Sequence, residues 1–85
     1  MKRFTVDWEP DAEDELARIW MQADDPWAVA RAQVKADQLL ASDPIGQGQH
    51  VSEGLYQIHV PPLVLTYSVD VAKQFVQVAW VRTTS

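Results

Sequence analysis

Cysteine is absent from the 85-residue chain, which excludes a disulfide framework, a thiolate metal site and a cysteine nucleophile. Basic residues are few, since 7 lysines and arginines stand against 12 aspartates and glutamates, for a formal charge of −5. That balance argues against broad electrostatic binding to phosphate backbones, although a local basic site is still allowed. No apolar run approaches the roughly 20 residues of a membrane helix, and no secretory signal follows Met1.

The length suits one domain spanning residues 1–85, and the hydrophobic fraction of 47% is enough for one modest core. Residues 3–8 alternate between polar and apolar, which predicts a half-buried strand. Pro10 suits the first position of a helix, and apolar residues then recur at three- and four-residue spacing. Asp25 and Pro26 predict the start of a second helix that ends near Ser42, and the short gap predicts an antiparallel helical hairpin.

The second half predicts strands. Residues 45–54 contain all three glycines of the chain and little apolar content, so we expect a surface loop there. Strands are predicted at 55–60, 63–69 and 74–82. Pro61 and Pro62 fall between the first two, and because proline cannot donate to a strand ladder, the pair is expected to form the reversal.

The resulting β-α-α-β-β-β order predicts an α+β fold with two layers, a helical hairpin on one face of a mainly antiparallel sheet. The side chains predicted on the covered face are Phe4, Val6, Trp8, Ile58, Val60, Leu65, Tyr67, Val69, Val76, Val78 and Trp80. Trp20 is also assigned to the core. The other face is predicted to be open and largely polar, with Arg3, Thr5, Asp7, Gln57, His59, Thr66, Ser68 and Gln77 on it and Phe75 and Val81 at its edges.

The chain resembles the RelE/ParE superfamily of toxins from type II toxin–antitoxin modules. The segments that carry the resemblance are Trp8-Glu9-Pro10 with Ala12 to Leu16, Ala36 to Leu40 with Asp43-Pro44, Glu53-Gly54-Leu55, Val60-Pro61-Pro62-Leu63 leading to Tyr67, and Val76 to Arg82. Their order covers nearly the whole chain. The resemblance implies a cytoplasmic, growth-arresting protein that a cognate antitoxin neutralises. RelE-like members cut messenger RNA on the ribosome, whereas ParE-like members act against DNA gyrase.

RelE-like members use cations and a tyrosine or histidine on the open sheet face. Cleavage by 2′-hydroxyl attack needs a base, an acid and a cation. The candidate catalytic residues are His59, Arg82, Tyr67 and Tyr56. An arginine common in the third strand of RelE-like nucleases is replaced by Val64, and Tyr56-Gln57 occupies the neighbourhood where another arginine is common. A degenerate, non-catalytic interaction module of the same fold is therefore the alternative hypothesis.

Trp27 and Arg3 are the candidate partner-binding residues. Trp27, in the first turn of the second helix, is expected either to brace the helical hairpin or, if exposed, to mark a partner surface. An exposed sheet edge is a reason to expect a partner or a homodimer. His50, His59 and Glu53 show no spacing typical of a metal site, so no metal and no cofactor is predicted.

Overall fold

The computed structural model describes residues 3–84. The elements in chain order are β1 (Thr5–Trp8), α1 (Pro10–Gln22), α2 (Pro26–Ser42), β2 (Gln49–Ser52), β3 (Leu55–Val60), β4 (Leu63–Asp70) and β5 (Phe75–Thr83). The strands form one sheet in the order β1-β5-β4-β3-β2. β1 runs parallel to β5, and the remaining pairs are antiparallel. The predicted α+β fold is confirmed, with a five-stranded sheet.

Both helices begin at the residues that the sequence indicates. α1 begins at Pro10. The first N–H groups of a helix have no acceptor within the helix, so proline loses no hydrogen bond at this position. Asp11 and Glu13 lie in the first turn, where their negative charge interacts favourably with the helix dipole. Asp25 is the N-cap of α2, because its Oδ1 accepts a 3.2 Å hydrogen bond from the amide of Ala28. The two helices are joined by residues 23–25 alone, which favours their packing as a hairpin.

The core lies between the helical hairpin and one face of the sheet. Its buried side chains come from α1, α2 and the three central strands; they are Ala12, Ile19, Val29, Ala32, Ala36, Leu40, Ile58, Val60, Leu63, Leu65, Tyr67, Val76, Val78 and Val81. Phe4, Val6, Trp8 and Val69 are partly buried against this cluster, as predicted. The Trp8 indole donates a 2.9 Å hydrogen bond from Nε1 to Asp37 Oδ1, which ties β1 to α2.

The prediction for the end of β5 was wrong by one residue. Trp80, expected in the core, is 68% exposed, whereas Val81, expected at the edge of the open face, is 1% exposed. The cause is a β-bulge: Tyr67 is paired with Val78 and Thr66 with Trp80, so that Ala79 is an extra residue on β5. One inserted residue exchanges the two faces of the strand beyond it.

Two other expectations need correction. Trp20 is 44% exposed and lies at the rim of the core rather than inside it. The predicted loop 45–54 contains β2, which pairs with the edge of β3 through Gln49–Gln57 and His50–Tyr56. All four β2 residues are exposed, so the strand has no apolar alternation that a sequence pattern could reveal. The reversal at Pro61-Pro62 is as predicted, with Val60 opposite Leu63 and a cis peptide bond between the prolines.

Candidate functional site on the sheet

His59 and Arg82 lie in one row across the sheet. His59 of β3 is paired with Val64 of β4, and Val64 is paired with Arg82 of β5. Directly opposed residues project to the same face, and Val64 belongs to the face that the helices do not cover. Because strands are spaced by about 4.8 Å, the backbones at His59 and Arg82 are about 10 Å apart. The two side chains lie on either side of the buried Val64, where His59 contacts Gln57 and Arg82 donates to the Thr83 carbonyl.

The next row on this open face is amide-rich. Gln49, Gln57, Thr66 and Trp80 are successive partners across β2, β3, β4 and β5. His59 Nε2 lies 3.5 Å from Gln57 Oε1, a long contact between exposed side chains. The row supplies hydrogen-bonding groups and one exposed indole, and none of its members carries a charge.

The two tyrosines lie on the opposite face. Tyr56 is paired with Tyr67, and both belong to the face that packs against the core. Their rings stack with centroids 6.0 Å apart, and His50 contacts Tyr56 edge-on at 5.4 Å. The candidate catalytic residues therefore form two separate groups, His59 with Arg82 and Tyr56 with Tyr67, and the sheet stands between them.

Tyr67 is fully buried. Its hydroxyl donates a 2.6 Å hydrogen bond to the carbonyl of Pro44, in the segment that follows α2. Desolvation by burial, with smaller effects from Tyr56 and Asp43, raises the pKa of Tyr67 to about 12. Gly48 leaves the room for this contact, because a Cβ on it would lie 1.8 Å from the Tyr67 hydroxyl oxygen. This geometry suits an anchor for residues 44–48 better than a proton donor to a substrate.

Few cations lie along the open face itself, although Arg31 and Lys35 of α2 line a cleft that His59 also borders. Arg82 donates a 3.3 Å hydrogen bond from a terminal guanidinium nitrogen to the carbonyl of Thr83, and it borders a cleft that Glu15, Asp24 and Asp25 also line. Arg3 precedes Thr5, which is paired with the first residue of β5, so Arg3 and Arg82 lie at opposite ends of the sheet. Carboxylates beside Arg82 weaken its attraction for a phosphate.

The residues considered for a metal site do not meet. His50 lies on the helix side of the sheet through its pairing with Tyr56, whereas His59 lies on the open face. Within residues 3–84 there is no group of three histidine or acidic side chains placed to hold a metal ion. No helix in that range is long and apolar enough to cross a membrane.

The helical hairpin carries a second candidate surface, an apolar groove on its outer side. Trp8, Leu16, Trp20, Met21 and Ala30 line one part of this groove. Ala30 also borders the adjoining part, where Trp27 and Val34 are flanked by Arg31 and Lys35. Trp27 is 70% exposed, so it does not brace the helical hairpin, and its role at a partner surface stays a prediction. Met21 and Val34, which are 78% and 57% exposed, also lie on this surface, and the sequence analysis did not single them out.

A scan against protein-family models and a search of curated proteins found no match. Solved structures do match. A chain of the toxin–antitoxin complex RelBE2 from Mycobacterium tuberculosis superposes with a TM-score of 0.81 at 20% identity, over 98% of this chain and 93% of that one. A chain of the RelE–RelB complex from Pyrococcus horikoshii OT3 gives 0.70 at 11% identity, over 94% and 93%.

The isolated RelE toxin of E. coli gives a TM-score of 0.67 at 20% identity, over 96% of this chain and 85% of that one. The matches extend over nearly the full length of this chain, so they include the helical hairpin, the sheet and the connections between them. At these identities a match establishes the shared fold. The predicted resemblance is confirmed at that level: the chain has the RelE fold.

Proposed function

We propose that this chain is the toxin-like component of a type II toxin–antitoxin module and is neutralised by a cognate antitoxin. The observation that carries the proposal is the full-length superposition on RelE structures, two of them solved in complexes that contain an antitoxin. The exposed apolar groove of the helical hairpin supports it, because apolar surface left exposed on a small domain is typical of a partner site. Trp27 would be an anchor there, and Arg3 would contact the partner near β1.

For the toxic activity we propose RNA cleavage in the row of His59, Val64 and Arg82. His59 would take the proton of a ribose 2′-hydroxyl as its oxygen attacks the adjacent phosphorus, and the bond from phosphorus to the 5′-oxygen breaks. The departing 5′-oxygen takes its proton from water. Arg82 would hold the phosphate oxygens, whose negative charge grows in the transition state. The exposed Trp80 in the neighbouring row offers a ring on which a base can stack.

Tyr67 has no part in this mechanism, because its hydroxyl is buried and bonded to Pro44. Tyr56 lies on the same side as Tyr67 and could reach RNA only from beyond the edge of the sheet. We therefore assign both tyrosines to the packing of the helix side rather than to the chemistry.

The first experiment is tightly controlled induction of the chain alone in bacteria, with pulse labelling of protein and DNA synthesis. A rapid fall in protein synthesis supports the ribonuclease, and a fall in DNA synthesis points instead to gyrase. The double variant His59→Ala with Arg82→Ala should lose RNA cleavage and still fold. The matched control is His50→Ala with Arg18→Ala, which removes the same two residue types, because His50 lies on the helix side and Arg18 lines neither the cleft of His59 nor that of Arg82.

A non-catalytic interaction module of the same fold is the second candidate. The specific observation in its favour is the small number of cations in the row of His59, Val64 and Arg82. Val64 occupies the middle of that row, and Arg82 borders a cleft that is also lined by three carboxylates. Normal growth with folded protein, together with copurification of the product of an adjacent reading frame, would support this candidate. Sedimentation of the purified chain would show whether it also forms a homodimer.

A further inference from the structure

The cleft between α2 and the end of β3 is basic. Its volume is about 570 Å³, and its polar lining residues are Arg31, Lys35, Gln47 and His59. The other lining residues are apolar, and none of the described residues that line it is acidic. The whole chain, by contrast, has 12 aspartates and glutamates against 7 lysines and arginines. The cleft is therefore a local concentration of positive charge on an acidic protein.

Both charged side chains of the cleft come from one side of α2. Arg31 and Lys35 are four residues apart, so they lie one turn apart on the same side of the helix. Both are exposed, whereas Ala32 on the same side is buried. Like charges at this spacing repel each other. An anion bound between them would remove that repulsion.

Carboxylates neutralise these two cations only weakly. Arg31 lies 3.8 Å from Asp25, and because both side chains are largely exposed the pair is weak. Lys35 forms no ion pair with any residue of the described range 3–84. Arg82, by contrast, borders a cleft with three carboxylates. An anion is therefore attracted more strongly to the cleft at α2 than to the cleft beside Arg82.

His59 connects the cleft with the open face of the sheet. β2 is paired with β3 through residues 55–57, so the cleft lies beyond that pairing, at the edge of the sheet. His59 belongs to the open face and Val60 to the core, and both border the cleft. A chain that crosses the row of His59, Val64 and Arg82, the proposed catalytic row, can therefore continue around this edge into the cleft.

We propose that Arg31 and Lys35 bind a backbone phosphate of single-stranded RNA, next to the nucleotide at which the proposed catalytic row cuts the chain. A guanidinium can donate two parallel hydrogen bonds to phosphate oxygens, and an ammonium adds a point charge. Gln47 adds an amide donor at the same cleft. Because phosphate contacts carry no sequence information, this site holds RNA of any sequence. The identity of the ligand as RNA rests on the proposed function, whereas the affinity for phosphate follows from the cleft itself.

The test uses the full-length protein and a fluorescein-labelled octauridylate with a 2′-O-methyl group on every ribose. This RNA cannot be cut by 2′-hydroxyl attack, so its binding is measured separately from cleavage. Fluorescence anisotropy gives Kd at a series of salt concentrations. Arg31→Gln with Lys35→Gln should weaken binding by about tenfold or more at about 50 mM salt. The slope of log K against log salt should become shallower by about 0.7, because one phosphate contact is lost.

Matched variants separate the cleft from the net charge. Arg18→Gln with Lys73→Gln makes the same change in net charge, and neither residue lines the cleft, so binding should change by less than about twofold. Arg31→Lys with Lys35→Arg keeps both charges and should retain binding within about threefold. All four positions are exposed, so we expect every variant to fold, and circular dichroism checks this.

Two ligands distinguish RNA from a free anion. In isotopically labelled protein, the RNA should shift the amide resonances of residues 28–35, His59 and Val60 at micromolar concentration. Inorganic phosphate should shift the same resonances only at millimolar concentration, because it lacks the contacts that the rest of an RNA chain makes.

Equal weakening by the two glutamine pairs, shifts confined to other parts of the chain, or RNA binding no tighter than that of inorganic phosphate would overturn the inference. So would the absence of RNA binding at millimolar concentration. Growth arrest by the wild type, together with unchanged RNA binding in Arg31→Gln with Lys35→Gln, would overturn the inference and leave the proposed function standing. RNA binding at the cleft without growth arrest would support the cleft and overturn the proposed toxicity.

Discussion

Tyr67→Phe removes one hydroxyl from the interior and leaves the Pro44 carbonyl without its 2.6 Å donor. The loss of a buried hydrogen bond with one partner left behind costs about 1–2 kcal/mol of folding free energy. For a domain of this length, that corresponds to a fall in Tm of about 5–10 °C at neutral pH. Urea and thermal unfolding followed by circular dichroism give both quantities.

The pH dependence of the folding stability gives a second test of the Tyr67 hydroxyl. Burial raises the pKa of Tyr67 to about 12 from an ordinary value of 10.0, so the folded state holds the phenolic proton more tightly than the unfolded state. The resulting stability is fully present below pH 10 and is lost as the pH rises through about 12. Two pKa units correspond to at most about 2.7 kcal/mol. Phenylalanine cannot ionise, so the stability gap between wild type and Tyr67→Phe should narrow above pH 10.

Tyr56→Phe is the matched control. Tyr56 is half-buried, and its hydroxyl forms no hydrogen bond with another residue of the 3–84 range. Its removal should change stability by less than about 0.5 kcal/mol. The reasoning is refuted if Tyr67→Phe is as stable as the wild type at pH 7, or if the gap between them stays constant up to pH 12. Loss of toxicity in Tyr67→Phe without loss of stability would restore a catalytic role to this residue.

Three further changes test the fold. Gly48→Ala forces a methyl group against the Tyr67 hydroxyl and should lower stability by about 1–3 kcal/mol in urea unfolding, since overpacking a fixed interior costs that much. Asp25→Ala removes the N-cap of α2 and should cost about 1 kcal/mol by the same assay, whereas Asp24→Ala should cost much less. Val81→Asp buries a carboxylate and should abolish cooperative thermal unfolding, whereas Trp80→Asp should be tolerated; equal effects would contradict the bulge.

The sequence supplied candidate site residues, and only the structure shows how they are arranged. A strand pattern places His59 and Arg82 near the ends of two strands, but only the register across β4 shows that Val64 lies between them. The pairing of Tyr56 with Tyr67 likewise shows that the tyrosines lie on the other face. Register depends on contacts between strands that are distant in sequence, so the local alternation of residues cannot report it.

The sequence by itself determined the order of the elements other than β2, both helix starts and the proline reversal, because these depend on local backbone chemistry. Proline fixes its own φ, and an N-cap carboxylate binds an amide three residues away. Tertiary structure decided the bulge at Ala79, the exposure of Trp80 and the pairing of β2. Each of these depends on hydrogen bonds and packing between segments that are distant in sequence. The residues of one segment alone therefore do not reveal it.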